Sequence, residues 1–524
     1  MNKSVAITRV ARANTSDERL LARADEATGS PDRLTSVAEV DAFLAKSADA
    51  RALTDPKEVT ALRGKIDALA NAAPLPSAER VLAERTITAE QAAALLQPGE
   101  RVLVPVGHMA PLTILGALAA RARLPGELDA KRPLKLFGTA VLVDPKLYEG
   151  EGKIVPEAIF VDNSSRAAIA TGRGSFIPSF FHRLPGLIRG GELPIDKVLL
   201  RVSPPDAEGY VSIGTSAVLE PVAIEHAKTV IAEMSPSVPR VGGACRVHVS
   251  ELDHIVRSEA PVITVPAPPA SAEEVAIASN IVGLVPDGAT LQFGIGGLPN
   301  AVAARLAEQG RKGFHIHSEM IADGVMLLAK AGAVAGPIEF SFAGGSAELL
   351  QWMDGNPQLV ALPIDACNDP VALGKIDKLI AINTALRVDL NGQVNAQMIN
   401  GSWYSGVGGQ VDFMRGASRS PGGAAILALA STRTIKGADG QPQVISSIVP
   451  YLGTDDVVTT SMHDLQYVVT EHGVAKLEGK STLERAEALI AIADPRFQPE
   501  LRQAFADRLR RVGEASRPKT TRKD

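Results

Sequence analysis

The chain has 524 residues, 45% of them hydrophobic and 22% charged, with a net charge of −5. That is more chain than one compact core holds, and it argues for two large domains with an accessory segment. Acids and bases are mixed along the chain and aromatics make up only 4%, which excludes a nucleic-acid surface or a polybasic membrane anchor.

Residues 1–85 are expected to form a helical N-terminal extension. The stretches at 34–53 and 56–73 carry apolar residues at three-and-four spacing, and the prolines of APLPS (73–77) end the pattern. The N-terminus has Arg9 and Arg12 but no long apolar run, and a cytoplasmic chain is expected. No run of about 18 apolar residues occurs, so no transmembrane helix is expected.

From residue 86 the texture changes to alternating strands and helices. RVLVPV (101–106), KVLLRV (197–202), KTVIAEM (228–234), DHIVRS (253–258) and PVITV (261–265) predict strands; PLTILGALAARARL (111–124) predicts a helix. LQPGERVLVPVGH (96–108) is echoed by VPDGATLQFGIGG (285–297) at a separation of 189 residues. The echo predicts two related open α/β domains packed together, at 86–270 and 281–510, joined by the proline-rich VPAPPASAEE. Residues 511–524 are expected to be a basic tail. Cys245 and Cys367 each stand alone in apolar stretches and are expected to be buried free thiols.

Four segments could carry chemistry. In FGIGGLPNAV, a strand runs into Gly294-Ile295-Gly296-Gly297-Leu298 and then a helix. Such glycines let backbone N–H groups approach a phosphate or a developing oxyanion; a structural tight turn is the alternative. In HIHSEM, His315, His317 and Glu319 alternate on one face near a strand's end. A metal site would need further ligands at recognisable spacing, and no metal is expected. Glu319 could serve as base, ion-pair member or nucleophile. Gly406, Gly408 and Gly409 of SGVGGQ suit either close ligand contact or a bulge. Glu471 and His472 follow a β-rich run, with Lys476 and Lys480 nearby.

GIGGLPNAV, HSEM-x-x-DG, the stretch from Asn383 to Gln397, GVGGQVDFMRGA and TEHGVA stand in an order that resembles the acetyl-CoA hydrolase/4-hydroxybutyrate CoA-transferase family, a branch of the class I CoA-transferases. The resemblance spans about residues 86–510. It implies transfer of coenzyme A between small carboxylic acids by a ping-pong route, with Glu319 as the nucleophile that becomes a glutamyl-CoA thioester. It further implies an oxyanion hole from the backbone of Ile295 and Gly409, a substrate-contacting Asn368, and an active-site Glu471 of second rank. CoA contacts are implied for Gly294 through Leu298, Ser405, Gly408, Gly409 and Lys436. Coenzyme A is then a substrate, no cofactor is tightly bound, and a homodimer is the default. His472 stands where the family more usually has tyrosine, and Glu478 where it has arginine. An acyl-CoA hydrolase and a non-catalytic CoA-binding protein are the rival readings. A carboxylate with an ordinary pKa of about 4.3 would be fully ionised at neutral pH and would need no base.

Overall fold

The computed structural model describes residues 75–515 except 140–143, 150, 295 and 438. The helices expected at 34–53 and 56–73 therefore lie outside the described residues, as do Ile295 and the last residues of the expected tail. The described chain opens with the helix Ala78–Arg85 and ends with the helix Gln498–Ala515, which carries helical structure into the expected tail.

Two largely parallel sheets organise residues 84–515, the second carrying one antiparallel edge strand, Gly473–Lys476. The first has the strands Arg101–Leu103, Leu134–Thr139, Ile154–Phe160, Ser175–Phe176, Lys197–Val202, Thr229–Met234 and His254–Arg257. Its opening strand, Arg101–Leu103, lies inside the sheet, the next three run out to one side, and the last three to the other. The second sheet repeats the plan. Thr290–Phe293 lies inside; Phe314–Ile321, Val334–Ala343 and Leu359–Ala361 follow on one side, and Leu379–Thr384, Ala424–Ala428 and Tyr467–Thr470 on the other. The opening strands begin at Arg101 and Thr290, the same 189-residue separation as the sequence echo. The fold is thus α/β, built from two related open sheets. Each packs its own apolar core, one around Val102, Leu136 and Leu199, the other around Ala381, Leu427 and Val468.

Local chemistry explains the helix starts. Ser271 and Ser481 each cap a helix reciprocally with Glu274 and Glu484. PVITV departs from expectation and forms no strand. Pro261 and Pro266 bracket it and remove ladder donors; its Ile263 carbonyl instead faces His108 Nδ1.

The halves are stitched along one seam. Ala217 N–H donates to the Ser341 carbonyl and Ala343 N–H to the Thr215 carbonyl, both at 2.8 Å. Gly242–Gly243 leaves the first half and pairs beside Leu359–Ala361 as the edge strand of the second sheet. In such folds the ligand crevice opens at the carboxyl ends of the strands where the order reverses. In the second sheet that point lies between Thr290–Phe293 and Leu379–Thr384.

Candidate active site

A cavity of about 380 Å³ opens at that switch point and is lined by Gly294, Asn383, Thr384 and Glu319. Much of its wall is apolar, from Phe160, Phe181, Phe342, Met320 and Phe413, and Val106 reaches it from the first half. Glu319 lies two residues before the end of the strand Phe314–Ile321. Its carboxyl is open to the cavity but otherwise enclosed by protein. Asn368 is fully buried on the short helix Ile364–Asn368 and donates its Nδ2–H to Glu319 Oε2 at 2.5 Å.

Burial pushes the Glu319 carboxyl up to about 8; the Asn368 hydrogen bond pulls against the rise, and the Asp412 carboxylate adds to it. The expectation of full ionisation at neutral pH took the solvated value; the protein packed around Glu319 favours the protonated form instead.

The glycines of SGVGGQ form the opposite wall. Gly408 has φ +54, and a Cβ there would lie 3.6 Å from Glu319 Oε1. Gly409 is the N-cap of the helix Gln410–Arg419; a side chain on it would overlap Glu319 Oε2 and Asn368 Nδ2. Gly406 packs on the backbone of Ile159 and Phe160 just as closely. The loop therefore brings a helix N-terminus, with its partial positive charge, against the carboxyl.

Behind Glu319, His317 is buried between two acceptors, Glu339 Oε2 at 2.7 Å and the Cys367 carbonyl at 2.8 Å. Burial alone would lower the imidazole, but Cys367 and Glu339 outweigh it and raise it to about 10. Burial likewise works to raise Glu339, and the His317 contact wins and holds it low. His317 is thus one half of an ion pair, with both ring nitrogens committed and neither open to a metal. His315 is exposed on the same strand.

Other candidate residues are placed as follows. Ser405 lines the cavity and donates its hydroxyl to the Ala396 carbonyl at 2.8 Å. Gly296 has φ +117, a conformation that favours glycine. Gly297 and Leu298 start the helix Gly297–Glu308 and are buried, Gly297 against the Glu274 carboxylate. Ile295 lies outside the described residues. Lys436 is exposed at the end of the strand Thr432–Lys436. Glu471 accepts from the Ser431 hydroxyl and, at 2.9 Å, from its N–H. Neither Lys436 nor Glu471 is among the residues that line the cavity.

Three residues at the site were not found from the sequence. Arg166 lines the cavity, with its guanidinium 3.7 Å from the Tyr404 ring centroid and its Nε–H donated to the Tyr404 carbonyl. His182, on the first half, donates from Nδ1 to Asp412 Oδ1 at 2.8 Å. Both partners of that pair sit in ordinary-looking text, FFHRLPG and GQVDFMR, with no spacing that relates them.

Residues 78–266 match the acetyl-CoA hydrolase/transferase N-terminal domain and residues 345–505 its C-terminal domain. The chain is 38% identical over 447 residues to a 4-hydroxybutyrate coenzyme A transferase of Clostridium kluyveri, covering 82% of this chain and 99% of that one. It is 36% identical to a succinyl-CoA:cyclohexane-1-carboxylate CoA transferase of Geobacter metallireducens, covering 83% and 98%. Among solved structures, RipA from Yersinia pestis superposes with a TM-score of 0.73 at 32% identity, over 83% of this chain and 99% of that one. With both of its domains matched and this degree of likeness, the chain belongs to the acetyl-CoA hydrolase/transferase family and is a CoA-transferase-type enzyme. The two domain matches leave residues 267–344 between them, the stretch that carries Glu319.

Proposed function

We propose that the chain transfers coenzyme A from a short-chain acyl-CoA to a small carboxylate such as acetate, with Glu319 as the covalent nucleophile. The observation that carries this reading is a single carboxyl, held by Asn368 and walled by glycines, facing an apolar cavity at the strand switch point. The reactions named for the relatives, CoA transfer from or to 4-hydroxybutyrate and cyclohexane-1-carboxylate, belong to the same class.

The ionised Glu319 adds to the thioester carbonyl, and the tetrahedral oxyanion collapses to a mixed anhydride with loss of CoA thiolate. The thiolate attacks the glutamyl carbonyl, releases the first carboxylate and leaves a glutamyl-CoA thioester. An acceptor carboxylate then reverses the sequence, so no net proton is consumed. Gly409 and Ile295 are the proposed backbone donors to the oxyanion, each contributing roughly 3–4 kcal/mol in a dry site. The apolar walls suit an uncharged acyl chain and keep water from the anhydride. We assign the CoA contacts to Gly294 through Leu298, Ser405 and Gly408; Lys436 would reach only the outer part of the nucleotide.

The test is to incubate the protein with butyryl-CoA, reduce with borohydride and map the modified peptide. Reduction at Glu319, and thioester loss that depends on added acetate, are the expected results. Thioester loss at the same rate without any carboxylate would make the protein a hydrolase. No modification and no turnover would leave a CoA-binding protein.

A further inference from the structure

We propose that Asp412, clasped by His182 from the other half of the chain, is a positioning residue that sets the charge of Glu319 before acyl transfer. The inference rests on the reading of Glu319 as nucleophile.

Asp412 is 1% exposed in the first turn of the helix Gln410–Arg419. It lies three positions, about one turn, after Gly409, whose Cβ position meets Glu319 Oε2. His182 binds it twice, from ring Nδ1 to Oδ1 at 2.8 Å and from its N–H to Oδ2 at 3.3 Å. The Asp412 carboxylate works to raise Glu319, so ionising one opposes ionising the other. Burial raises Asp412, while His182 and then Arg415 pull it back.

The other charges around Asp412 are already engaged. Arg415 pairs with Asp464 at 3.1 Å and lies over Phe180. Asp365 pairs with Arg189 at 2.7 Å, and Glu339 with His317. The packed elements Pro370–Leu373, Leu379–Thr384 and Ala424–Ala428 bring no titratable side chain. His182 is therefore the partner that decides whether Asp412 stays an anion. As an anion it makes Glu319 a more basic carboxylate, so a contact between the two halves of the chain bears on the charge of the nucleophile.

Removing the Asp412 charge should let Glu319 ionise at lower pH. Removing His182 should act in the same direction, because Asp412 then takes up a proton itself. The experiment measures single-turnover CoA release from butyryl-CoA across pH for the wild type, D412N, H182A and R189Q. The last breaks a different contact on the same seam. The acid limb is expected to move down by about half a pH unit or more in D412N and H182A and to stay in place in R189Q. H182A alone decides the matter if D412N does not fold. An unmoved limb in the folded variants, or an equal shift in R189Q, overturns the inference while leaving the nucleophile intact. Absence of any Glu319 acylation in the wild type sinks both.

Discussion

The Asn368 amide binds one oxygen of Glu319, Oε2, at 2.5 Å, while the other, Oε1, faces Gly408. The carboxyl is thereby oriented with a bound oxygen and a reacting one. Glu319→Gln keeps the shape and removes the nucleophile, and kcat/KM should fall by at least about 10³-fold. Asn368→Asp should be worse than Asn368→Ala. It places a second carboxyl on the first, and its acid limb should move to higher pH.

The rate of Glu319 acylation should rise with pH and level off above about 8 as the carboxyl ionises. Stability should run the other way. A carboxyl raised in the folded state stabilises the protein fully below its unfolded value, and that contribution is lost as pH climbs through about 8. Glu319→Gln has no such proton to lose. Its Tm should exceed that of the wild type at pH 9 and converge with it near pH 4.5; a constant offset at every pH would refute the assignment.

Gly409→Ala should fold yet lose about 10²-fold or more in kcat, because the added methyl overlaps Glu319 Oε2 and Asn368 Nδ2. Circular dichroism and thermal melts separate this from unfolding. Gly409 has φ −90 and carries no left-handed strain, so Gly186→Ala, likewise without a positive φ and with open space around its Cβ, is the control for adding a methyl alone.

His108 joins three parts of the chain. Its Nδ1–H donates to the Ile263 carbonyl, and its Nε2 accepts the Gly345 N–H at 3.0 Å. That pattern needs the neutral ring, and burial lowers its proton affinity. Folding stability should therefore be full above pH 6.5 and decline as pH falls, since the unfolded chain takes up the proton first. His108→Ala should cost about 2–4 kcal/mol by leaving two backbone groups unpaired. It should also flatten the acid decline measured by urea unfolding.

The repeat was legible because Gly99 and Gly288, then the strands at Arg101 and Thr290, keep a fixed offset, and like sequence folds to like strand order. Glu319 was legible from its alternation with His317 near a strand end. His182, Asp412 and Arg166 were not, because their meaning comes from contacts about 230 residues apart. Periodicity carries no information at that range. The raised Glu319 carboxyl was hidden for a related reason, since sequence names the group but not the protein packed around it.

Gly243, at φ +67, leaves no room for a side chain against the Ala361 backbone, and with Gly242 it closes the rim of the sheet that holds Glu319. A split version of the enzyme, cut at the proline-rich linker and produced as two polypeptides, would leave Leu359–Ala361 as a bare β-edge. Such a fragment invites self-association until its mate arrives.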